Sequence, residues 1–225
     1  MKLVRIIAVF MAAISLSACV STPPAHDYSA FHAADPKSVL ILPPKNSTPE
    51  VIAPFSLMSQ LAAPIAESGF YVFPVALVNQ TFINNGMTVA DDIHNIAPAK
   101  LKEIFGADTA LYVTIEDYGT SYVVLSSETR VTVSASLIDL ETSSMLWTGA
   151  ATASSAEQQN ASSGGLVGML VQAAVSQIFE TVTDRGFDIA AMTSARLISA
   201  ESYNGLLYGP RSPKYGQPVP SEKGK

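Results

Sequence analysis

Within the stretch Thr129 to Asp139, polar and apolar residues alternate from Arg130 to Leu137. Val131, Val133, Ala135 and Leu137 fall on one side, and Arg130, Thr132, Ser134 and Ser136 on the other. A period of two belongs to a strand with one buried face, so the stretch predicts a half-buried antiparallel strand. A sheet with one packed face must find helices or another sheet to cover it. The neighbouring segments supply more strands. Asp139–Ser144 predicts a turn and Met145-Leu146-Trp147-Thr148 opens a return strand. Thr109–Glu116 predicts a strand, with Gly119-Thr120-Ser121 as a hairpin loop. Val39–Leu42, closed by Pro43-Pro44, reads as a fully buried strand, and Phe70–Val75 as another.

Between these lie helical patterns. Leu57, Leu61 and Ile65, flanked by Met58 and Ala62, mark one face of a helix that Pro54 starts and Gly69 ends. Pro64 inside it predicts a kink. A loop through Asn84-Asn85-Gly86 and a Thr88–Asp91 capping box follow. Pro98 to Gly106 predicts a helix burying Leu101, Ile104 and Phe105. Leu166, Leu170, Val171, Ala174 and Ile178 mark a late helix from about 166 to 183, and 187–198 reads as one more. The order βαβαβββα predicts an α/β (α+β) fold, a mixed, mostly antiparallel sheet packed with helices.

Composition bounds function. The 225 residues include one cysteine, 13 basic and 19 acidic residues, and carry a net charge of −6. One cysteine excludes a disulfide scaffold and argues against a cysteine-based zinc site. Too few basic residues are present for nucleic-acid binding. Mean hydropathy is +0.27, high for a water-exposed domain. The first eighteen residues explain part of it. Lys2 and Arg5 precede an apolar run from Ile6 to Leu16, too short to span a bilayer, and small residues follow. That layout is a secretory signal.

The sequence Leu16-Ser17-Ala18-Cys19 resembles the bacterial lipobox. The resemblance implies cleavage before Cys19, diacylglycerol (palmitate-type) acylation of its thiol and N-acylation of the new terminus. Two or more acyl chains anchor stably where one does not. Val20, in place of the Asp typical of inner-membrane retention, implies the outer membrane, periplasmic side. Removing Lys2 and Arg5 leaves eleven basic against nineteen acidic residues, a net −8. Residues 1–18 are thus a signal peptide and 19–36 a lipidated terminus and Pro-containing tether. Residues 37–208 form a single domain, and 209–225 an extended Pro-rich tail.

Candidate chemistry is sparse. Asp91, Asp92 and His94 read either as a metal site or as a capped helix entry; with no partner cluster, the second is preferred. His26 and His32 fall in the tether. No Gly-x-Ser-x-Gly elbow occurs. Ser162-Ser163-Gly164-Gly165 precedes a helix as an anion site would, without a phosphate-loop lysine, so a flexible link is preferred. The pairs Glu116-Asp117 and Asp91-Asp92 read as solvated ends, not as facing acids. The 166–183 helix reads as a buried or partner-facing helix; bilayer insertion is the other reading. No catalytic, metal or cofactor residues are expected.

Four stretches identify a family: Ser38–Asn46, Leu101–Tyr112, Ile138–Trp147 and Gly205–Arg211. They resemble a family of bacterial lipoproteins of unknown function that includes a neisserial vaccine-candidate lipoprotein. The family's domain is similar to the TolB N-terminal domain and, more loosely, to periplasmic CsgG-like domains. Its hairpin usually carries Asp-x-x-Thr-Gly; Ser143 stands here at the Gly. The resemblance implies an accessory or scaffold component of an envelope transport or assembly complex, alongside other envelope lipoproteins such as a CsgG-like partner. A homodimer is expected. The alternative is a periplasmic small-ligand carrier or hydrolase with an apolar pocket.

Overall fold

The computed structural model describes residues 24–123, 126–160 and 185–220. Helix α1 (Ser29–Ala34) precedes strands β1 (Ser38–Ile41) and β2 (Lys45–Asn46). Then come α2 (Ala53–Glu67), β3 (Tyr71–Val72), α3 (Val75–Asn84), α4 (Ala90–His94) and α5 (Pro98–Phe105). The long strands β4 (Thr109–Val123), β5 (Ser126–Asp139) and β6 (Met145–Ser154) follow, then α6 (Ser155–Asn160) and α7 (Arg185–Ile198). One mixed sheet has the order β3-β1-β4-β5-β6, with β2 beside β4. β1 runs parallel to β3 and β4, and β4, β5 and β6 form an antiparallel meander. This is the mixed α/β sheet that the residue patterns predict.

The sheet explains those patterns. The apolar side of β5 packs with Leu57, Leu61 and Ile65 of α2 and Ile189 and Leu197 of α7. Each such aliphatic side chain contributes about 1.5–3 kcal/mol by leaving water. Leu40 and Leu42 point the other way, into a second core with Val78, Phe82, Ile93 and Leu101. β1 is therefore buried on both faces, which is why its sequence is a continuous apolar run. Helix α2 runs through Pro64, whose carbonyl takes both Ser68 N–H (3.0 Å) and Ser68 Oγ (2.8 Å) at the helix end.

Several expectations change. Residues 24–36 are not a free tether. Tyr28 and Phe31 are buried in the main core, and Tyr28 Oη donates to Gly205 O at 2.6 Å. The segment from Gly209 is not a free tail. Gly209 N–H bonds Ser68 O (2.8 Å), Arg211 N–H bonds Gly69 O (3.1 Å), and Val219 is buried. Local composition misleads in both places because distant residues supply the cover. The predicted strand Phe70–Val75 shrinks to Tyr71–Val72, since Pro74 turns the chain into α3 where a loop was expected. Val89 is the N-cap of α4 and no side chain caps it, so the Thr88 box does not form. Gly119–Ser121 lie within β4, paired with β5. Ile104 is exposed. Leu16, Ser17, Ala18 and Cys19 lie outside the described residues, as do Leu166, Leu170, Val171, Ala174 and Ile178.

Candidate functional site, an apolar groove at the carboxyl end of a parallel strand

Beyond β1, Pro43 and Pro44 have no N–H to give the sheet, so the chain leaves it and rejoins as β2 beside Thr114 and Ile115. Asn46 shapes the loop that follows. Its Oδ1 accepts from Thr48 N (3.0 Å) and Thr48 Oγ1 (2.8 Å), while Nδ2 donates to Glu50 O (2.8 Å). The loop delivers the first turn of α2, which presents Phe55 and Met58 across from Ile83 of α3 and Met87. Between them lies a groove of about 430 Å³, with Pro43 and Ile93 also in its lining. That is the size range of ligand sites, at the strand ends where open parallel sheets bind. Val51, Ile52 and Phe55 are 82%, 51% and 57% exposed, and Ile83 43%.

Polar groups stand at one side. Lys45 Nζ pairs with Asp91 Oδ1 at 2.8 Å, and that hydrogen bond and charge hold the exposed Asp91 carboxyl below its usual range. His94 Nε2 donates to Pro43 O at 3.0 Å and its ring meets Tyr112 edge-on at 5.2 Å. Burial pushes the His94 pKa below the ordinary imidazole value; the Pro43 bond opposes this, and the Lys45 charge adds to it. His94 is therefore a neutral clamp on the Pro43 carbonyl. Among the described residues no group of three or more His, Cys, Asp or Glu is placed to hold a metal. Glu116 is the unpaired residue of a bulge in β4 between Ile115 and Asp117, and Glu116 and Asp117 are both exposed. His26, expected in a tether, bonds the Leu146 carbonyl through Nε2 at 3.2 Å. The Ser162–Gly165 stretch lies outside the described residues.

Sequence reasoning passed over Val51, Ile52, Phe55 and Ile83. A signal was present. At 100° per residue Phe55 falls well off the Leu57-Leu61-Ile65 stripe, so it could not share that buried face. A larger concavity, about 610 Å³, borders β6 at the sheet edge near Tyr203 and Asn204. There Leu146 O is taken by His26 and Thr152 O by the Arg196 guanidinium, which guards the edge against further strand pairing.

The sequence pattern of the GNA1162-like lipoproteins matches residues 26–211. The chain belongs to that family. A protein of Neisseria meningitidis serogroup B described as a lipoprotein is 45% identical over 201 residues, covering 89% of this chain and 93% of that protein. The crystal structure of lipoprotein GNA1162 from Neisseria meningitidis is 46% identical and covers 64% of this chain and 99% of its own, with a TM-score of 0.51. Membership makes this chain a lipoprotein, held at a membrane by lipid. No described helix is long and apolar enough to cross a membrane.

The stretches that carry the family resemblance are architectural. Ser38 Oγ donates to Asp108 Oδ2 and accepts from Asp108 N, each at 2.9 Å, tying β1 to the entry of β4. Asp139 Oδ1 accepts from Glu141 N, Thr142 N and Thr142 Oγ1 and so builds the hairpin turn. Trp147 is buried, with Nε1 donating to Asn204 O at 2.9 Å. A Cβ at Gly149 would run into the Trp147 ring, and one at Gly205 into the Ser199 carbonyl. These residues preserve the fold.

Proposed function

We propose that this family member is a non-enzymatic lipoprotein of the outer membrane, anchored on the periplasmic side by acyl groups on Cys19. In this reading it is an accessory or scaffold component of an envelope transport or assembly complex, dimeric and in contact with other envelope lipoproteins. The groove beside Phe55 receives an apolar segment of such a partner. The observation that carries the reading is that Phe55 and Ile83, both exposed, line a preformed groove, with exposed Val51 and Ile52 just before Phe55 in the chain. Exposed apolar clusters of this kind mark docking sites. A second reading has its own support: a 430 Å³ apolar groove also suits a small apolar ligand.

One experiment separates them. The lipidated wild type and Phe55→Asp are purified from bacterial envelopes in mild detergent, with bound proteins and extracted small molecules identified by mass spectrometry. Under the first reading wild type retains a defined protein partner and Phe55→Asp loses about tenfold or more of it, as for an anchor residue worth over 1 kcal/mol. A retained small molecule with no protein partner establishes the second reading. Thermal stability should barely differ between the two proteins, because exposed substitutions usually stay within about 0.5 kcal/mol.

A further inference from the structure

The first described residue, Pro24, is fixed in place. Asn204 Nδ2 donates to Pro24 O at 2.9 Å, and Asn204 Oδ1 accepts His26 N–H at 2.9 Å. Asn204 itself is held by Trp147 Nε1 on its carbonyl and sits at φ 58. Only four residues, 20–23, separate Pro24 from the cysteine, which makes five Cα-to-Cα steps from Cys19. Fully extended they span no more than about 18 Å. Two large apolar side chains are exposed beside this point, Met145 at 57% and Tyr203 at 43%. Tyrosine and methionine suit a membrane interface, with an apolar body and, for Tyr, a polar tip.

Strand register places the groove away from Met145, toward the other end of the sheet. β1, β4 and β6 run the same way, because β4 pairs parallel with β1, and β4 and β6 both pair antiparallel with β5. Met145 opens β6 opposite Ile138, which pairs with Ala110 at the amino end of β4. The groove begins past the carboxyl end of β1, where Lys45 and Asn46 stand beside Thr114 and Ile115. Five residues of strand, about 17 Å, lie between those levels.

We propose that residues 19–23 are a leash so short that the Pro24–Asn204 end of the domain, with Met145 and Tyr203, rests against the lipid surface while the groove faces away from it. The inference rests on acylation at Cys19 and fixes how the docking surface is presented. Asp27 stands at this end and the chain is net negative, so the contact is set by the leash and apolar side chains and not by attraction to anionic lipid.

The test uses full-length lipidated protein on vesicles of phosphatidylcholine carrying headgroup nitroxides. Acylation blocks the Cys19 thiol, so one introduced cysteine carries the fluorophore, in Met145→Cys or in Val51→Cys. Nitroxide quenching is expected to be several-fold stronger at position 145 than at 51. A Gly/Ser insert of about 20 residues after Val20, reaching several tens of ångströms, is expected to bring position 145 down to the level of 51. Equal quenching at the two positions, stronger quenching at 51, or no effect of the insert overturns the proposal. Vesicle binding by Cys19→Ala is the separate control. If that variant still binds, the anchor assignment fails; if it does not, only the quenching pattern judges the orientation.

Discussion

Ser143 shows what a side chain costs at a turn position where the family resemblance implies glycine. It occupies the hairpin turn at φ 61, in the left-handed region that the usual glycine adopts freely. Its N–H bonds Asp139 O at 3.0 Å, so the turn closes despite the strain. A side chain in this conformation costs roughly 1–2 kcal/mol. Glycine returns part of the gain as unfolded-state entropy, about 0.5–1 kcal/mol. Ser143→Gly is therefore expected to stabilise the protein by about 0.5–1 kcal/mol, read from a denaturant midpoint at unchanged slope. A lowered midpoint would show that the Ser143 side chain contributes more than its backbone strain removes.

At the scale of elements, His94 joins α4 to the loop that leaves β1. Its pKa is lowered in the fold, so the unfolded chain binds the proton more readily. The stability this neutral clamp contributes is present in full above the ordinary imidazole value of about 6.5 and is lost as pH falls through the lower folded value. Wild type is expected to lose more thermal stability between about pH 7 and pH 5 than His94→Gln, which keeps a donor without titrating. Identical pH profiles would refute the clamp. Asp91 does not confuse this window, because its carboxyl is held below the usual carboxylate range and titrates at lower pH. Elements with strong internal patterns were legible in sequence: α2 from its Leu57-Leu61-Ile65 stripe, β5 from its alternation, α5 from Pro98 and the left-handed Gly106. Helix α3 was not, because Val78 and Phe82 are its only buried residues and their four-residue spacing hides among exposed Leu77 and Ile83.

For the molecule as a whole, the two ends of the described chain act as straps. Residues 24–35 and 204–219 lie far apart in sequence yet bond each other through Tyr28–Gly205, His26–Asn204 and Asp35–Tyr215. A spacer would tolerate truncation of its side chains. Phe31→Ala is instead expected to cost about 3–5 kcal/mol, as for a buried aromatic in a packed core. Circular dichroism melts would settle it, and an unchanged melting temperature would return the segment to the role of a tether. The orientation of the groove relative to the lipid depends on the same straps, because they fix where the leash begins.

Periodicity, punctuation by proline and glycine, and the Leu16–Cys19 box were readable without coordinates, since each expresses an interaction between residues a few positions apart. They determined the sheet-forming segments, most helices and the expected anchor. The groove and the fixed start of the chain were decided by tertiary structure alone. Phe55, Ile83 and Met87 line one groove from two helices and the loop after the second, and Asn204 holds Pro24 from 180 positions away. Such contacts form only when a distant surface arrives to complete them, so no local pattern records where an apolar residue finds cover and where it stays exposed.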